Sequence, residues 1–323
     1  MKPPRIVVTD WSFPDLVIEE RLAQAQSVEL IGVQCKSEAE LIELCREADA
    51  VITQFARVNA AVISQMQRAK AIVRYGIGVD NVDLDAAKGR SIPVCNIPDY
   101  CIDEVADQTL AFILAATRQV LSHAVHLRAG NWGLATPVSS MKALRDLTVG
   151  VVGFGRIGRE VVKRLVPFKC AIRVFDPMVP PAEIEKSGAQ AGSLEEVLRA
   201  ADVLTLHCPS TPQTRKLMNA RTFDLLRPGA IFINVGRGDL ADAEALTLAL
   251  KSGHLGAAAL DVFDPEPIPA DHPVRSMANV ILAPHIASCS TPAVQKLRES
   301  AANIALAAIR GEALTTVVNG VRR

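Results

Sequence analysis

The fold class is decided by a glycine-rich stretch near the middle of the chain, Gly150-Val151-Val152-Gly153-Phe154-Gly155-Arg156-Ile157-Gly158. Residues 147–152 form a short apolar run that predicts a β-strand, and residues 157–168 have the apolar periodicity of a helix. A Gly-x-Gly-x-x-Gly pattern between a strand and a helix is typical of the first turn of a Rossmann dinucleotide-binding domain. Without those neighbours the same pattern would carry little information.

Each glycine of this pattern has a steric task in such a turn. We predict that Gly153 forms the tight turn, that Gly155 lets a pyrophosphate approach the backbone, and that Gly158 lets the helix pack closely on the strand. The N-terminal end of the helix then offers unpaired N–H groups and a positive dipole end to the phosphates. The alternative is a glycine turn that serves only the packing of the helix on the strand.

An acidic residue after the next predicted strand indicates which dinucleotide binds. Asp176 ends the apolar segment 171–176, at about the separation from the glycines where a carboxylate meets the ribose hydroxyls of the adenosine. A carboxylate there would repel a 2′-phosphate, so we expect NAD (NADH) to be preferred over NADP. The sequence thus assigns these cofactor contacts: Gly153, Phe154, Gly155, Arg156, Ile157, Gly158 and Asp176.

Composition and charge argue against several classes of protein. The chain has 323 residues, which is comfortable for two domains, and 49% of them are hydrophobic, as in a folded globular protein. Lys and Arg number 35, and so do Asp and Glu, so no net positive charge attracts the chain to nucleic acid or anionic lipid. Aromatic residues that could stack on bases are few. We therefore expect neither a nucleic-acid partner nor a membrane partner.

The cysteines and the first residues of the chain favour a cytoplasmic location. The 7 Cys are odd in number and scattered without a C-x-x-C pair, so neither a disulfide framework nor a zinc site is indicated, and we expect no metal. The first apolar run, residues 6–9, is short and predicts a strand rather than a signal peptide. No apolar run reaches the roughly 18 residues that a transmembrane helix needs.

Short runs rich in Val and Ile alternate with helical patterns along the chain, which predicts an α/β fold with parallel sheets. We expect two doubly wound parallel-sheet domains with a cleft between them. One is a Rossmann NAD-binding domain over residues 101–289, and the other is a discontinuous, flavodoxin-like substrate domain over residues 1–100 and 290–323. The helical pattern 291–310 lies beyond the last predicted strand, so it can return to the first domain. A long helix over 102–121 is expected to bridge the two domains.

The same patterns predict where the elements begin and end. Ser37, three residues before Glu40, is expected to cap a helix over 37–48, and Gly311 is expected to end the last helix. The predicted strands are residues 6–9, 28–33, 50–53, 71–75 and 93–95 in the first domain, and 147–152, 171–176, 203–207, 230–235, 257–261 and 280–283 in the second.

Three polar residues each follow a predicted strand of the second domain. They are Arg237, Glu266 and His285, and the carboxyl ends of parallel strands are where open sheets bind their ligands. Reduction of a 2-oxo acid needs a fixed cation for the carboxylate, which Arg237 supplies. It also needs an acid–base group that titrates near neutral pH, which is the chemistry of His285, with Glu266 holding the imidazole. Each of these residue types taken alone is more often structural than catalytic, and it is their joint placement at successive strand ends that points to catalysis.

Four segments together resemble the D-isomer-specific 2-hydroxyacid dehydrogenase family: Gly153–Gly158, Asn234–Gly238, Leu260–Pro267 and Pro284–Ala287. They occur in the family's order and with its spacings over nearly the whole chain. The resemblance implies a dehydrogenase acting on the CH–OH group of a D-2-hydroxy acid. It also implies the catalytic set Arg237, Glu266 and His285.

The resemblance further implies roles outside that set. It implies that Asp261 contacts the nicotinamide carboxamide and that the segment His207-Cys208-Pro209 lines the adenine side, with Val235 as a further cofactor contact. It implies a homodimer through the NAD-binding domain, with the segment Arg128–Trp132 crossing to a neighbour. It also implies that Gly76, Ile77 and Gly78 present backbone N–H groups to the substrate carboxylate, and that Arg74 helps to hold the substrate anion beside Tyr75.

The sequence leaves the particular member of the family open. The segment Arg74–Asp83 looks most like phosphoglycerate dehydrogenases and the C-terminal binding proteins, which are NADH-responsive corepressors. However, Thr53 stands where the former have an arginine for phosphate, and Ser288 stands where the latter have a tryptophan. The expected substrate is a small 2-oxo or D-2-hydroxy acid, as in glyoxylate and hydroxypyruvate reductases.

Two alternatives and one departure complete the sequence argument. The first alternative is an NADH-sensing, corepressor-like binding protein with little turnover. The second, an L-specific lactate or malate dehydrogenase, is disfavoured because the glycine pattern there lies near the N-terminus, whereas here it starts at Gly153. The departure is Gly236, where the family usually has Ala or Ser, and we expect it to loosen its loop slightly.

Overall fold

The chain folds into two units, each around its own parallel sheet. The computed structural model describes residues 3–322. One unit comprises the residues up to Tyr100 together with those from Ser290 onward, and the other comprises Cys101–Cys289. The predicted fold class, two parallel-sheet α/β domains, is confirmed.

The first unit has a five-stranded sheet. Its strands are β1 Arg5–Val8, β2 Glu29–Gly32, β3 Ala50–Thr53, β4 Ile72–Arg74 and β5 Val94–Cys95. The strands lie in the order β2-β1-β3-β4-β5, which is the flavodoxin-like order. The helices between them are α1 Val17–Gln24, α2 Glu38–Cys45, α3 Ala60–Gln65 and α4 Leu84–Gly89.

The second unit has a seven-stranded sheet. Its strands are β6 Thr148–Val152, β7 Ala171–Phe175, β8 Gln190–Ala191, β9 Val203–Leu206, β10 Ala230–Asn234, β11 Leu255–Leu260 and β12 Val280–Leu282. Their order is β12-β11-β10-β9-β6-β7-β8, which is the six-stranded order of the dinucleotide-binding fold with β12 added at one edge.

Seven helices accompany these strands, and an eighth follows them. Those of the second unit are α5 Ile102–Thr117, α6 Val120–Arg128, α7 Arg156–Leu165, α8 Pro181–Glu185, α9 Leu194–Ala200, α10 Ala220–Asp224 and α11 Ala243–Lys251. The C-terminal helix α12, Thr291–Arg310, belongs to the first unit. The predicted caps are confirmed: Ser37 accepts a hydrogen bond from the Glu40 N–H, and Gly311 ends α12 in the left-handed conformation.

Helices cover both faces of the first sheet. Alternate residues of a strand point to opposite faces. On one face Ile6 and Val8 pack with Leu297 of α12, and on the other Val7 packs with Ile63 of α3. Burial on both faces explains the uninterrupted apolar run Ile6–Val8 in β1.

A buried ion pair fastens α12 to α1. The guanidinium of Arg298 lies 2.7 Å from the Glu19 carboxylate, and the two residues are 6% and 0% exposed. The hydroxyl of Tyr75 donates to the same carboxylate over 2.8 Å. The Arg298 guanidinium also lies 5.1 Å from the centre of the Phe13 ring. Because each buried charge has a partner of opposite sign, the pairing offsets part of the cost of burying both groups.

The prediction of one helix over 102–121 is wrong. The first helix ends at Thr117, Gln119 has a φ of +54°, and α6 begins at Val120 with an axis bent by 63° from α5. The side-chain amide of Gln119 donates to the Ala116 carbonyl over 3.1 Å, which satisfies one of the last carbonyl groups of α5. A left-handed residue is a common way to end a helix, and apolar periodicity does not reveal it.

The helix α5 was also expected to bridge the domains, but it lies within the second unit. The N-terminal half of α5 contacts α7, where Arg164 is 2.7 Å from Asp107 and also pairs with Asp103. The elements α4, α8, α10 and β8 were not predicted, because two to six residues show no clear periodicity.

Among residues 3–322, no single helix is long and apolar enough to cross a membrane. Only α5 and α6 taken together meet that length and composition, across their bend of 63°.

Candidate functional site

The glycine turn after β6 has the geometry of a site for a phosphate group. Gly153 has a φ of +97°, and a Cβ atom there would lie 2.6 Å from the backbone N of Cys208. A Cβ on Gly158 would lie 2.1 Å from the Gly153 carbonyl oxygen, so α7 packs directly on the turn. A Cβ on Gly155, in contrast, would meet no atom within 4 Å, so the backbone there is open to a ligand. The turn therefore fits a dinucleotide pyrophosphate.

Asp176 lies directly beyond β7 and is held against this turn. Its carboxylate accepts a hydrogen bond from the Phe154 N–H over 2.7 Å and another from the Met178 N–H over 2.8 Å. Each carboxylate oxygen keeps a lone pair that could accept a bond from a ribose hydroxyl. The Phe154 ring is buried and lies 4.5 Å from the guanidinium carbon of Arg159, so Phe154 can offer only its backbone. Arg156 and Ile157 form the first turn of α7.

The segment after β9 packs against the turn and is uncharged. Desolvation lowers the pKa of His207 to about 3, and its Nε2 lies 2.9 Å from the Thr205 hydroxyl. Burial raises the pKa of the Cys208 thiol to about 11. The next residue, Pro209, accepts a hydrogen bond from the Thr214 hydroxyl through its carbonyl. The predicted place of His207-Cys208-Pro209 on the adenine side stays a prediction.

An imidazole–carboxylate pair lies at the carboxyl edge of the second sheet. His285 Nδ1 is 2.7 Å from Glu266 Oε2, and Glu266 Oε1 accepts a hydrogen bond from the Phe263 N–H over 2.8 Å. Burial acts to raise the pKa of Glu266, but the hydrogen bond and charge of His285, the Phe263 N–H and the charge of Arg237 outweigh it, so the pKa lies below its usual value. The ionised carboxylate therefore places the shared proton on Nδ1 of the ring.

Asp261 holds the loop that carries His285. It follows β11, is fully buried, and its two carboxylate oxygens accept hydrogen bonds from the N–H groups of Ile286 and Ala287 over 2.9 and 2.8 Å. Its carbonyl accepts from the His285 N–H over 2.7 Å, and His285 has a φ of +55°. Burial raises the pKa of Asp261 although these N–H groups act to lower it. Sequence reasoning missed this positioning task, and the predicted nicotinamide contact of Asp261 stays a prediction.

Arg237 is placed by Asn234, which sequence reasoning did not single out. The Asn234 side chain donates to the Arg237 carbonyl over 2.8 Å and accepts from the Gly236 N–H over 3.1 Å. Val235, which is buried, lies between Asn234 and Gly236 in the chain. An amide at a strand end, two residues before a glycine, was the signal available in the sequence.

The loops of Arg237 and Glu266 touch at their backbones. A Cβ on Gly238 would lie 2.0 Å from the carbonyl carbon of Phe263 and 2.6 Å from the N of Asp264. The second unit thus brings Arg237, Glu266, His285 and Asp261 together at one edge of its sheet. Among residues 3–322, no three His, Cys, Asp or Glu side chains are placed to hold a metal ion.

The predicted substrate loop lies in the first unit, directly after β4. Gly76 has a φ of +146°, and a Cβ there would lie 1.4 Å from Nη1 of Arg74, so the guanidinium covers this glycine. The Gly76 N–H donates to the Arg74 carbonyl over 2.9 Å. Tyr75 is 1% exposed, with its ring against Phe13, so its side chain belongs to the core. The side chain of Asn96 donates to the Ile77 carbonyl over 2.7 Å and steadies the loop.

Comparison with known proteins agrees with this geometry. Residues 110–287 match the NAD binding domain of the D-isomer specific 2-hydroxyacid dehydrogenases. The chain is 37% identical to D-3-phosphoglycerate dehydrogenase of Mycobacterium leprae over 77% of this chain and 47% of that protein. It is 36% identical to glyoxylate reductase of Aeropyrum pernix over 99% of this chain and 97% of that protein.

A solved structure has the same fold over nearly the whole chain. It is D-lactate dehydrogenase from Aquifex aeolicus complexed with NAD and lactic acid, which is 26% identical, with a TM-score of 0.85 over 95% of this chain and 96% of that one.

The glycine turn, the strand order and the matched domain define a dinucleotide-binding protein. The chain belongs to the D-isomer specific 2-hydroxyacid dehydrogenase family, as its sequence motifs predicted. It spans about half the length of the phosphoglycerate dehydrogenases that it matches.

Proposed function

We propose that this chain is an NAD-linked oxidoreductase that interconverts a small 2-oxo acid and the corresponding D-2-hydroxy acid. The observation that carries the proposal is the His285–Glu266 pair, with Nδ1 and Oε2 2.7 Å apart, in the unit that also contains the glycine turn. An imidazole oriented by a carboxylate is suited to exchange a proton with a substrate oxygen.

The residues of the second unit have separable tasks in the reducing direction. When bound, the nicotinamide cofactor supplies the hydride that adds to the carbonyl carbon. His285 gives a proton from Nε2 to the carbonyl oxygen, so the product is a hydroxyl group, while Glu266 balances the charge of the protonated ring. Arg237 binds the substrate carboxylate and draws electron density from the adjacent carbonyl.

The loop after β4 is the proposed second contact for the substrate carboxylate. In the described part of the chain, the Gly76 N–H donates to the Arg74 carbonyl, whereas the N–H groups of Ile77 and Gly78 donate to no backbone carbonyl. Successive backbone N–H groups in a turn form a concavity that binds anions. We therefore assign carboxylate binding to these N–H groups, with Arg74 as a nearby cation and Tyr75 as a buried support.

The proposed preference for NAD over NADP rests on Asp176. Its carboxylate is fixed by two N–H groups: that of Phe154 in the glycine turn and that of Met178 in the segment after β7. A ribose 2′-hydroxyl would donate to it, whereas a 2′-phosphate would be repelled.

The proposed partner is a second copy of the chain, contacted through the NAD-binding unit. Every residue of α6 is at least partly exposed, and between residues 120 and 132 four apolar side chains are more than half exposed: Val120, Val125, Leu127 and Trp132. Burial of such a patch in a symmetric interface would remove apolar area from water. A cytoplasmic location remains a prediction.

The direct test is NADH oxidation, followed optically, with a panel of 2-oxo acids from glyoxylate to branched, aromatic and phosphorylated members. We expect turnover on at least one acid. Changing His285 to Ala should lower turnover by about 10²–10⁴-fold, the usual contribution of a general acid, and leave NADH binding nearly unchanged.

A matched control is His254→Ala, since His254 contacts the Phe223 carbonyl in the same unit and follows no strand of the site. Equal turnover in the His285 and His254 variants would refute the assignment of the acid. Tight NADH binding without turnover on any acid would refute the enzyme proposal and support the NADH-sensing alternative.

A further inference from the structure

The loops that follow β9 and β10 are joined by the side chain of Asp239. We call residues 207–217 the β9 loop and residues 235–242 the β10 loop. The Ser210 hydroxyl donates to Asp239 Oδ2 over 2.6 Å, and Nε of Arg215 lies 3.2 Å from the same oxygen. Two donors of the β9 loop therefore meet one carboxylate of the β10 loop.

Backbone hydrogen bonds extend this link. The Lys216 N–H donates to the Asp239 carbonyl over 2.7 Å, and the Met218 N–H donates to the Leu240 carbonyl over 2.9 Å. Met218 also pairs with Ala241 in a parallel bridge, and both Met218 and Leu240 are fully buried. The strands β9 and β10 are neighbours, so the two loops leave adjacent strands and pair again beyond them. A displacement of one loop is therefore passed to the other.

Each of the joined loops adjoins a residue or segment assigned to a ligand. Asp239 lies two residues after Arg237, in a short 3₁₀ helix whose last N–H donates to the Arg237 carbonyl over 3.3 Å. Nη1 of Arg237 donates to the Gly236 carbonyl over 2.8 Å, so the guanidinium is held by its own loop. Ser210 directly follows His207-Cys208-Pro209, the predicted cofactor segment. The Asp239 link thus connects the predicted cofactor side to the proposed carboxylate-binding cation.

The link contributes to placement more than to stability. Asp239 receives both donors on Oδ2, whereas Oδ1 is buried and has no hydrogen-bond partner in the described part of the chain. A buried acceptor without a partner costs free energy. The ion pair with the exposed Arg215 offsets little of that cost, because surface ion pairs are weak. We therefore expect loss of the Asp239 side chain to change the position of the loops more than the free energy of unfolding.

We propose that Asp239 is a positioning residue that couples binding of the cofactor to binding of the substrate carboxylate. A cofactor against His207-Cys208-Pro209 holds the β9 loop, and Asp239 then holds the β10 loop, and with it Arg237, in the matching position. The carboxylate meets a cation that is already ordered, so less conformational entropy is lost when it binds. Such coupling is reciprocal, so the substrate anion must also tighten cofactor binding. This inference rests on the proposed function of the same residues.

The test measures the dissociation constant of NADH by fluorescence, without and with saturating oxamate, an unreactive analogue of a small 2-oxo acid that has the same carboxylate. Oxamate should tighten NADH binding to the wild-type chain by about 5–150-fold, the usual range of coupling between two sites. Asp239→Ala should remove most of this effect, while NADH binding in the absence of oxamate changes little. Asp239→Asn, which can still accept from the Ser210 hydroxyl, should retain more of the effect than Asp239→Ala.

A matched control lies at the opposite edge of the same two strands. Asp202 directly precedes β9, and its carboxylate is 3.1 Å from the guanidinium of Arg227, which lies shortly before β10. Asp202→Ala should lower the urea midpoint but leave the effect of oxamate on NADH binding unchanged. A second test combines Ser210→Ala with Arg215→Gln, which removes both donors and leaves Asp239 itself in place. This double variant should weaken the effect of oxamate as Asp239→Ala does.

The outcomes separate this inference from the oxidoreductase proposal. An equal effect of oxamate in the wild type and in Asp239→Ala, or an equal loss in Asp202→Ala, would overturn the coupling and leave the oxidoreductase proposal intact. So would a wild-type chain that reduces a 2-oxo acid although oxamate does not change its affinity for NADH. If Asp239→Ala does not fold, an unchanged effect of oxamate in the double variant overturns the coupling. NADH binding without turnover on any acid and without an effect of oxamate would overturn both proposals.

Discussion

Replacement of Gly238 by Ala should separate the two loops that carry Arg237 and Glu266. The added Cβ would lie 2.0 Å from the Phe263 carbonyl carbon and 2.1 Å from its oxygen. Carbon atoms in contact are usually about 3.5–4.0 Å apart, so the two backbones must move apart by roughly 1.5 Å. Neither neighbour is the tip of a flexible side chain, so a change of rotamer cannot relieve the contact.

The displacement reaches the acid–base pair because the Phe263 N–H holds the Glu266 carboxylate over 2.8 Å. A misplacement of about 1 Å can cost on the order of 100-fold in rate when catalysis depends on positioning. We therefore expect kcat/KM for the best 2-oxo acid to fall by about 100-fold. The free energy of unfolding should fall by only about 1–3 kcal/mol, the usual cost of overpacking.

The matched control is Gly236→Ala, two residues earlier in the same loop. A Cβ there would meet the terminal carbon of Leu240 at 3.1 Å, a side-chain atom that can shift slightly. The assays are initial rates of NADH oxidation, NADH binding by fluorescence, and unfolding in urea. If Gly238→Ala retains kcat/KM within about threefold of Gly236→Ala, the argument that these loops position one another is wrong.

Three further predictions concern single charges. Asp176→Ala should weaken NADH binding relative to NADPH by about 10–100-fold, as expected for loss of a hydrogen bond to a charged group, and an unchanged ratio of the two dissociation constants would exclude its role at the ribose. Glu266→Gln should lower stability at neutral pH. The folded-state pKa of Glu266 is below its usual value, so the difference in the free energy of unfolding between the variant and the wild type should vanish as the pH falls through that lowered pKa. A stability difference that persists in acid contradicts the assignment. Arg298→Met should lower the free energy of unfolding by about 3–5 kcal/mol, because it removes the cation that pairs with the buried Glu19 carboxylate. The control is Arg21→Met, which removes the exposed pair with Glu299 and should cost about 0–1 kcal/mol. Equal urea midpoints for the two variants would refute the prediction.

Local sequence was sufficient for most strands of the fold. The predicted strand over 50–53 is β3 itself, and most other strands begin and end within two residues of their predicted bounds. These strands are short apolar runs that stop at polar residues or glycines, so their limits are visible without tertiary information. The break at Gln119 was not visible, because a left-handed residue interrupts the backbone while the apolar periodicity continues.

Contacts that join distant parts of the chain could not be predicted from local sequence. The family resemblance indicated His285 and Glu266, and the structure brings them into contact. The resemblance did not indicate that Asp261 holds the loop of His285 through two N–H groups, or that Gly238 faces Phe263. Nor did it indicate that the Tyr75 ring is buried in the core while its neighbours in the loop could meet a substrate. The roles of these residues in binding and turnover stay predictions.

The return of α12 to the first unit sets an order for folding during synthesis. One face of the first sheet is covered by α12, with Leu297 and Ala301 against Ile6 and Val8. At about 5–20 residues per second, a ribosome needs roughly 10–40 s to make the chain between Tyr100 and Ser290. During that interval the nascent first unit exposes an apolar sheet face, while the intervening unit is contiguous and can fold as soon as it emerges. The last part of the chain to be synthesised therefore completes the core of the first part.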